Sequence, residues 1–222
     1  VGAVAQGRVV YMNILKAIQF LLSSNLGEVL LIFVATVLNL GSPLLPIHIL
    51  WVNLITDSLP ALALGMENGE RDLMDRPPRN PREGIFAGGM GGDIAYQGLM
   101  VSVLVLASYF IGHFMESGVW EIPANGLSPD GTTMAFLTMS MAEIFHSLNM
   151  RSQRGSLFTM GSRNWALLVS SFAALLLTTL VCEVPFIAAA FAAKTGKTAD
   201  ELTEANLTAK ELSVLRRVFG AM

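Results

Sequence analysis

Apolar residues occur along this chain in five long blocks separated by short polar segments. A hydrocarbon core about 30 Å thick is crossed by roughly 20 residues of helix. The stretches at about 20–40, 47–66, 93–115, 133–150 and 165–184 have that length, and an apolar tail, Phe186 to Ala193, follows them. The pattern predicts an all-α fold, a polytopic membrane helix bundle with about five transmembrane helices. The turn Gly41-Ser42-Pro43 makes a hairpin of the first two. No solenoid-type repeat is present.

Composition supports the same class. Hydrophobic residues make up 53% of the 222 and charged residues 14%, against roughly 25% charged in soluble domains. So little charge cannot cover a globular surface, and the lipid bilayer is the predicted partner. Disorder is excluded, because it needs low hydrophobicity and high net charge. A net charge of −3 gives no basic footprint, so nucleic acid is not a predicted partner. A lone cysteine, Cys182, excludes an internal disulfide and a cysteine-based zinc cluster. The chain opens at Val1 without a signal peptide, on a polar stretch with Arg8 and Lys16, which reads as entry into the middle of a longer chain.

Charge in the connections predicts orientation. Glu67 to Glu83 carries four arginines and the rigid run Arg76-Pro77-Pro78-Arg79-Asn80-Pro81. The link between the fourth and fifth stretches carries Arg151, Arg154 and Arg163, whereas Glu116 to Thr132 has three acids and no Lys or Arg. The positive-inside rule puts the arginine-bearing connections and the N-terminus in the cytoplasm. The polar tail from Lys194, with five Lys or Arg, would then lie outside after an odd number of spans.

The chemistry lies in the polar residues within the apolar stretches. Ionisable groups at membrane depth cost a few kcal/mol each and are a functional hypothesis by default. The first stretch holds Asn25 and Glu28, three apart and so on one helix face. The second holds Asn53, Thr56 and Asp57 at spacings of three and four, and the fourth holds Glu143. Three helices thus bring oxygen donors to the bilayer, with no Lys or Arg inside these stretches to neutralise them. A single Asn or Thr is ordinary interhelical hydrogen bonding, but three carboxylates on three helices favour an ion site. Carboxylate, amide and hydroxyl oxygens suit a hard cation such as Ca2+, although Mn2+, Na+ or H+ could use a similar cage. His48 and His146 fall outside the cluster. Pro60 removes a backbone donor and frees the carbonyl of residue 56, which predicts a broken helix beside the site. Gly88, Gly89, Gly91 and Gly92, leading into the third stretch, allow either close helix contact or a flexible loop.

These residues resemble the C-terminal membrane half of P-type cation-transporting ATPases, in particular the calcium-pump group. Ser23-Ser24-Asn25-Leu26-Gly27-Glu28 is similar to that family's fifth transmembrane helix. Leu50 to Ala61, through Asn53-Leu54-Ile55-Thr56-Asp57, is similar to its sixth. Asp72-Leu73-Met74-Asp75-Arg76-Pro77-Pro78-Arg79 is similar to the loop that follows. The resemblance covers about residues 7 to 190 and implies helices five to nine of such an ATPase. The implied organisation is a cytoplasmic stalk over 1–19, the C-terminal transmembrane domain over 20–193 and a polar tail over 194–222.

The resemblance also implies a transport site for Ca2+. Asn25, Glu28, Thr56, Asp57 and Glu143 match one ion position, and Asn53 and Asp57 match this region's share of a second. Glu143 lies in the least similar segment. The proline-rich loop resembles the one that couples the phosphorylation domain to the helices. The family's DKTGT motif, nucleotide domain, actuator domain and first four helices are absent here. ATP and Mg2+ are therefore implied only for the missing domains of the parent, which with its N-terminal helices would be the partner of this chain. No catalytic or cofactor-binding residue is predicted, and this chain alone should not hydrolyse ATP. Lys194 to Thr198 only imitates a P-loop, since Phe191 stands in place of its first glycine. Asn206-Leu207-Thr208 fits a glycosylation sequon. The expected location is integral and multi-pass, in the plasma membrane for a bacterial chain. Two other readings of the same residues are a passive cation path and a vestigial or regulatory membrane protein.

Overall fold

The fold is that of a computed structural model, which describes residues 2–69, 73–75, 77, 84–122, 128–151 and 164–183. Among the described residues all regular structure is helical. The elements are α1 (Gly2–Val37), α2 (Pro46–Trp51), a π-helical segment (Val52–Asp57), α3 (Ser58–Leu64), α4 (Met90–Ser117), α5 (Pro129–Asn149) and α6 (Trp165–Glu183). Residues 1–174 form one compact unit and 175–222 a second, of which only the last turns of α6 are described. The apolar tail, the polar tail, the P-loop imitation, the sequon, Arg154 and Arg163 lie outside the described residues, as does most of the proline-rich run.

All five expected apolar stretches are helical. Among the described residues four segments are long and apolar enough to cross a membrane: Gly2–Val37, Pro46–Leu64, Met90–Ser117 and Trp165–Cys182. At 21 residues, α5 also reaches about 30 Å. It is less apolar because its inward face carries Ser140, Glu143, His146 and Ser147, all buried. The expected stalk and first span are one continuous helix of 36 residues, about 54 Å long, so α1 extends well past a 30 Å core.

Local signals set the helix starts. Pro129 occupies the first turn of α5, and Ser128 caps it by accepting from the Gly131 amide at 3.1 Å. Asn164 Oδ1 likewise accepts from the Leu167 amide at 3.0 Å at the start of α6.

Helix α4 packs along both α1 and α5, and small residues allow the approach. A Cβ on Gly98 would stand 3.0 Å from the Ser23 carbonyl and 3.1 Å from the Gly27 amide. One on Gly112 would stand 2.8 Å from the Gly131 Cα. Close helix contact therefore falls to Gly27, Gly98, Gly112 and Gly131. The run before α4 has another use: Gly88 and Gly89 take φ of 72° and 93° in the turn, and Gly91 and Gly92 would meet nothing within 4 Å. Gly98→Val is expected to destabilise the bundle by about 1–3 kcal/mol through overpacking, read as a lower unfolding midpoint of the purified protein in detergent.

Below the site, Phe20, Ala63, Leu64, Met150 and Leu167 form a buried apolar cluster. It joins α1, α3, the end of α5 and the start of α6.

Candidate functional site

The site begins at the irregular second span. Pro60 cannot donate to the carbonyl four residues earlier, and the distortion appears as the π segment immediately before it. A π-turn carries an extra residue and recurs at functional sites. Ser58 Oγ donates to the Asn53 carbonyl, five residues back, at 2.7 Å, and Thr56 Oγ1 donates to the Val52 carbonyl at 2.8 Å. The break thus lies one turn earlier than the proline alone suggests, and it carries Asn53, Thr56 and Asp57 together.

Asp57 is 1% exposed, and its Oδ2 accepts from Ser24 Oγ of α1 at 2.5 Å. One turn further along α1, Glu28 accepts from Asn53 Nδ2 with both oxygens, at 2.9 and 2.8 Å. That amide nitrogen also lies 2.9 Å from the Ile49 carbonyl. From α5 comes Glu143, 0% exposed. The charged groups that bear on Glu143 are Asp57 and Glu28, both of its own sign.

Buried carboxylate oxygens normally have donors, and these are an exception. Neither oxygen of Glu143, nor Oδ1 of Asp57, meets a donor at hydrogen-bond geometry among the described residues, although the Ser24 hydroxyl that donates to Asp57 also bears on Glu143. Two buried acids, Asp57 beside α1 and Glu143 of α5, thus keep oxygens without a donor, while both oxygens of the third, Glu28, are held by Asn53. They do not form a closed shell, since among the described residues no three Asp, Glu, His or Cys side chains stand close enough to hold one metal ion together.

Of the six residues singled out in the sequence, Glu28, Asn53, Thr56, Asp57 and Glu143 converge on this region. Asn25 does not. The buried stripe of α1 passes through Ser24, Gly27, Glu28 and Leu31; Asn25 stands just off it, exposed, with its amide donating to the Leu21 carbonyl at 2.7 Å. Its place in the polar contacts is taken by Ser24, four residues before Glu28 and so on the same face. That spacing was visible in the sequence, but a serine gave no signal beside an asparagine.

His48 and His146 make contacts with other residues. His48 stacks on Phe136 with ring centroids 4.6 Å apart. His146 Nε2 lies 2.7 Å from Ser23 Oγ, with its ring 5.5 Å from that of Phe20.

A second polar centre, which the sequence did not single out as a site, lies beyond the apolar cluster. Glu67 and Arg151 make a two-bond ion pair at 3.0 and 3.1 Å. Asn164 Nδ2 donates to Glu67 Oε2 at 2.8 Å and lies 2.9 Å from the Ala63 carbonyl. From α1, Asn13 Nδ2 reaches the Glu67 carbonyl at 2.7 Å, and Lys16 Nζ the Arg151 carbonyl at 2.6 Å. Arg8 Nη1 reaches the Leu73 carbonyl at 2.9 Å.

Comparison with known proteins identifies the family. Residues 41–201 match the family described as "Cation transporting ATPase, C-terminus". "Calcium-transporting ATPase 1" of Bacillus cereus is 37% identical over 199 residues, 86% of this chain and 22% of the relative. "Calcium-transporting ATPase" of Bacillus subtilis is 37% identical over 184 residues, 83% of this chain and 20% of the relative. The mouse (Mus musculus) "Calcium-transporting ATPase type 2C member 2" is 39% identical over 177 residues, 79% and 18%. The chain spans about a fifth of the length of these relatives. This helical membrane chain belongs to the family of cation-transporting ATPase C-terminal regions.

Proposed function

We propose that this chain is the membrane part of an ATP-driven cation pump, that Ca2+ is the transported ion, and that Glu28, Asn53, Thr56, Asp57 and Glu143 supply oxygen ligands. The observation that carries this reading is the unsatisfied carboxylate oxygens of Asp57 and Glu143, buried among acids of like sign. A hard divalent cation offers what such oxygens lack, since Ca2+ takes six to eight oxygen ligands. Calcium is favoured over softer metals by the absence of sulfur from the cluster, and it is the ion named for the relatives.

Closing the ligands on an ion requires side-chain movement. Glu28 would leave Asn53 Nδ2. Segments of the longer pump that precede this chain would complete the shell. ATP, Mg2+ and the phosphoryl chemistry belong to those segments, and the loop after α3 couples them to the helices. In this topology the start of α1, the loop after α3 and the link after α5 face the cytoplasm.

The test is cation uptake by inverted vesicles carrying the full-length pump. ATP-dependent Ca2+ uptake is expected, at least tenfold above uptake of Mn2+ or Na+ at equal concentration. Cation flux that is independent of ATP would overturn the pump reading in favour of a passive path.

A further inference from the structure

The buried pair Glu67–Arg151 lies away from the acids, yet it joins the two helix ends that lead to them. Glu67 follows α3 through tight turns, its amide accepted by the Leu64 carbonyl at 3.2 Å, and Arg151 follows α5 in the same way, accepted by Leu148 at 3.3 Å. Asp57 lies about 15 Å back along the first path and Glu143 about 12 Å back along the second, at roughly 1.5 Å per residue. The third acid-bearing helix is tied in as well, through Asn13 and Lys16 of α1. The ends of α3 and α5 are thus joined through one guanidinium and one carboxylate, and α1 holds the backbone carbonyls of the same two residues.

We propose that Glu67 and Arg151 are positioning residues for ion binding: their two-bond pair fixes the axial register of α3 and α5, and so the spacing of Asp57 and Glu143. The inference rests on the ion-site reading given above. The chemistry favours register over bulk stability. Taking both charges out of water costs several kcal/mol each, so an apolar pair of similar volume often serves stability as well or better. What an apolar pair lacks is direction. The planar guanidinium meets a carboxylate in one orientation, and Asn164 holds the same Glu67 oxygen from the side. A slip of one helix past the other breaks both bonds together, whereas Leu against Met would tolerate it.

The experiment uses the full-length pump with three changes: Arg151→Lys, Glu67→Gln and the apolar pair Glu67→Leu/Arg151→Met. Equilibrium 45Ca2+ binding and the ATP concentration for half-maximal activity are measured on each, with the unfolding midpoint as a check. Each variant is expected to raise half-saturating Ca2+ by about fivefold to twentyfold and to leave half-saturating ATP within twofold. The apolar pair is the decisive variant, because it keeps the fold while losing direction. An apolar pair that folds and binds Ca2+ with unchanged half-saturation overturns the proposal and leaves the ion pair a stability element only. Should the apolar pair fail to fold, Arg151→Lys decides the question instead, because it keeps the charge and loses the fork. Unchanged half-saturation in that variant overturns the proposal equally. Asp57→Asn separates the two readings. If it abolishes binding while the paired variants bind normally, the positioning proposal alone fails. If it too binds normally, the ion site itself is wrong and the proposal falls with it.

Discussion

Asp57→Asn in the full-length pump is expected to lower ATP-driven Ca2+ uptake at limiting Ca2+ by about a hundredfold. The substitution is nearly isosteric, and the asparagine oxygen can still accept from Ser24 Oγ, so the contact between α1 and the π segment survives. What is lost is the charge of Oδ1, which has no hydrogen-bond partner among the described residues. Removing one member of a buried charge interaction costs about 2–5 kcal/mol, and 2.7 kcal/mol is roughly a hundredfold in affinity. Ser24→Ala, which removes only a hydrogen bond worth about 0.5–1.5 kcal/mol, is expected to cost about tenfold or less. Uptake as a function of Ca2+ concentration checks both. The ordering of the two effects matters as much as their size, because a site held together only by interhelical hydrogen bonds would respond to Ser24→Ala more than to Asp57→Asn.

Glu67→Ala is expected to be the most destabilising single change among these residues, by about 3–5 kcal/mol. It removes both bonds that Glu67 makes to Arg151, 8% exposed, and takes from Asn164 Nδ2 one of its two acceptors. The apolar layer of Phe20, Ala63, Leu64, Met150 and Leu167 lies directly beneath, so water cannot enter on that side to solvate the guanidinium. Denaturation of the purified protein in mild detergent reads the effect. Adding Arg151→Met to Glu67→Ala is expected to recover part of the loss, because the cost of keeping the guanidinium out of water is then gone. No recovery would mean that the arginine is held by other groups.

The helices themselves were legible as blocks of hydrophobicity, because lipid demands runs of apolar residues whatever the packing inside. The α5 block was legible too, although its buried Glu143 and His146 lower its apolarity. The break in the second span could be read from Pro60, but its form could not: a π segment depends on where the chain absorbs the extra residue, which Ser58 and Asn53 decide together. Glu28, Asn53, Thr56, Asp57 and Glu143 stood out because strongly polar side chains are uncommon within such apolar stretches. Asn25 stood out for the same reason and yet turns outward, since a spacing of three leaves about 60° between two side chains and the edge of the buried stripe falls between them. The Glu67–Arg151 pair was invisible because its partners lie 84 positions apart, each in a segment that reads as an ordinary polar connection.

Equilibrium 45Ca2+ binding to the full-length pump, wild type beside Glu28→Gln/Asp57→Asn/Glu143→Gln, asks whether these three acids hold the ion. Saturable binding to the wild type and none to the triple variant, both folded by their unfolding midpoints, is the predicted result. The same isotherm for both proteins would contradict it, and would leave the three carboxylates as internal glue in a bundle whose ion path lies elsewhere.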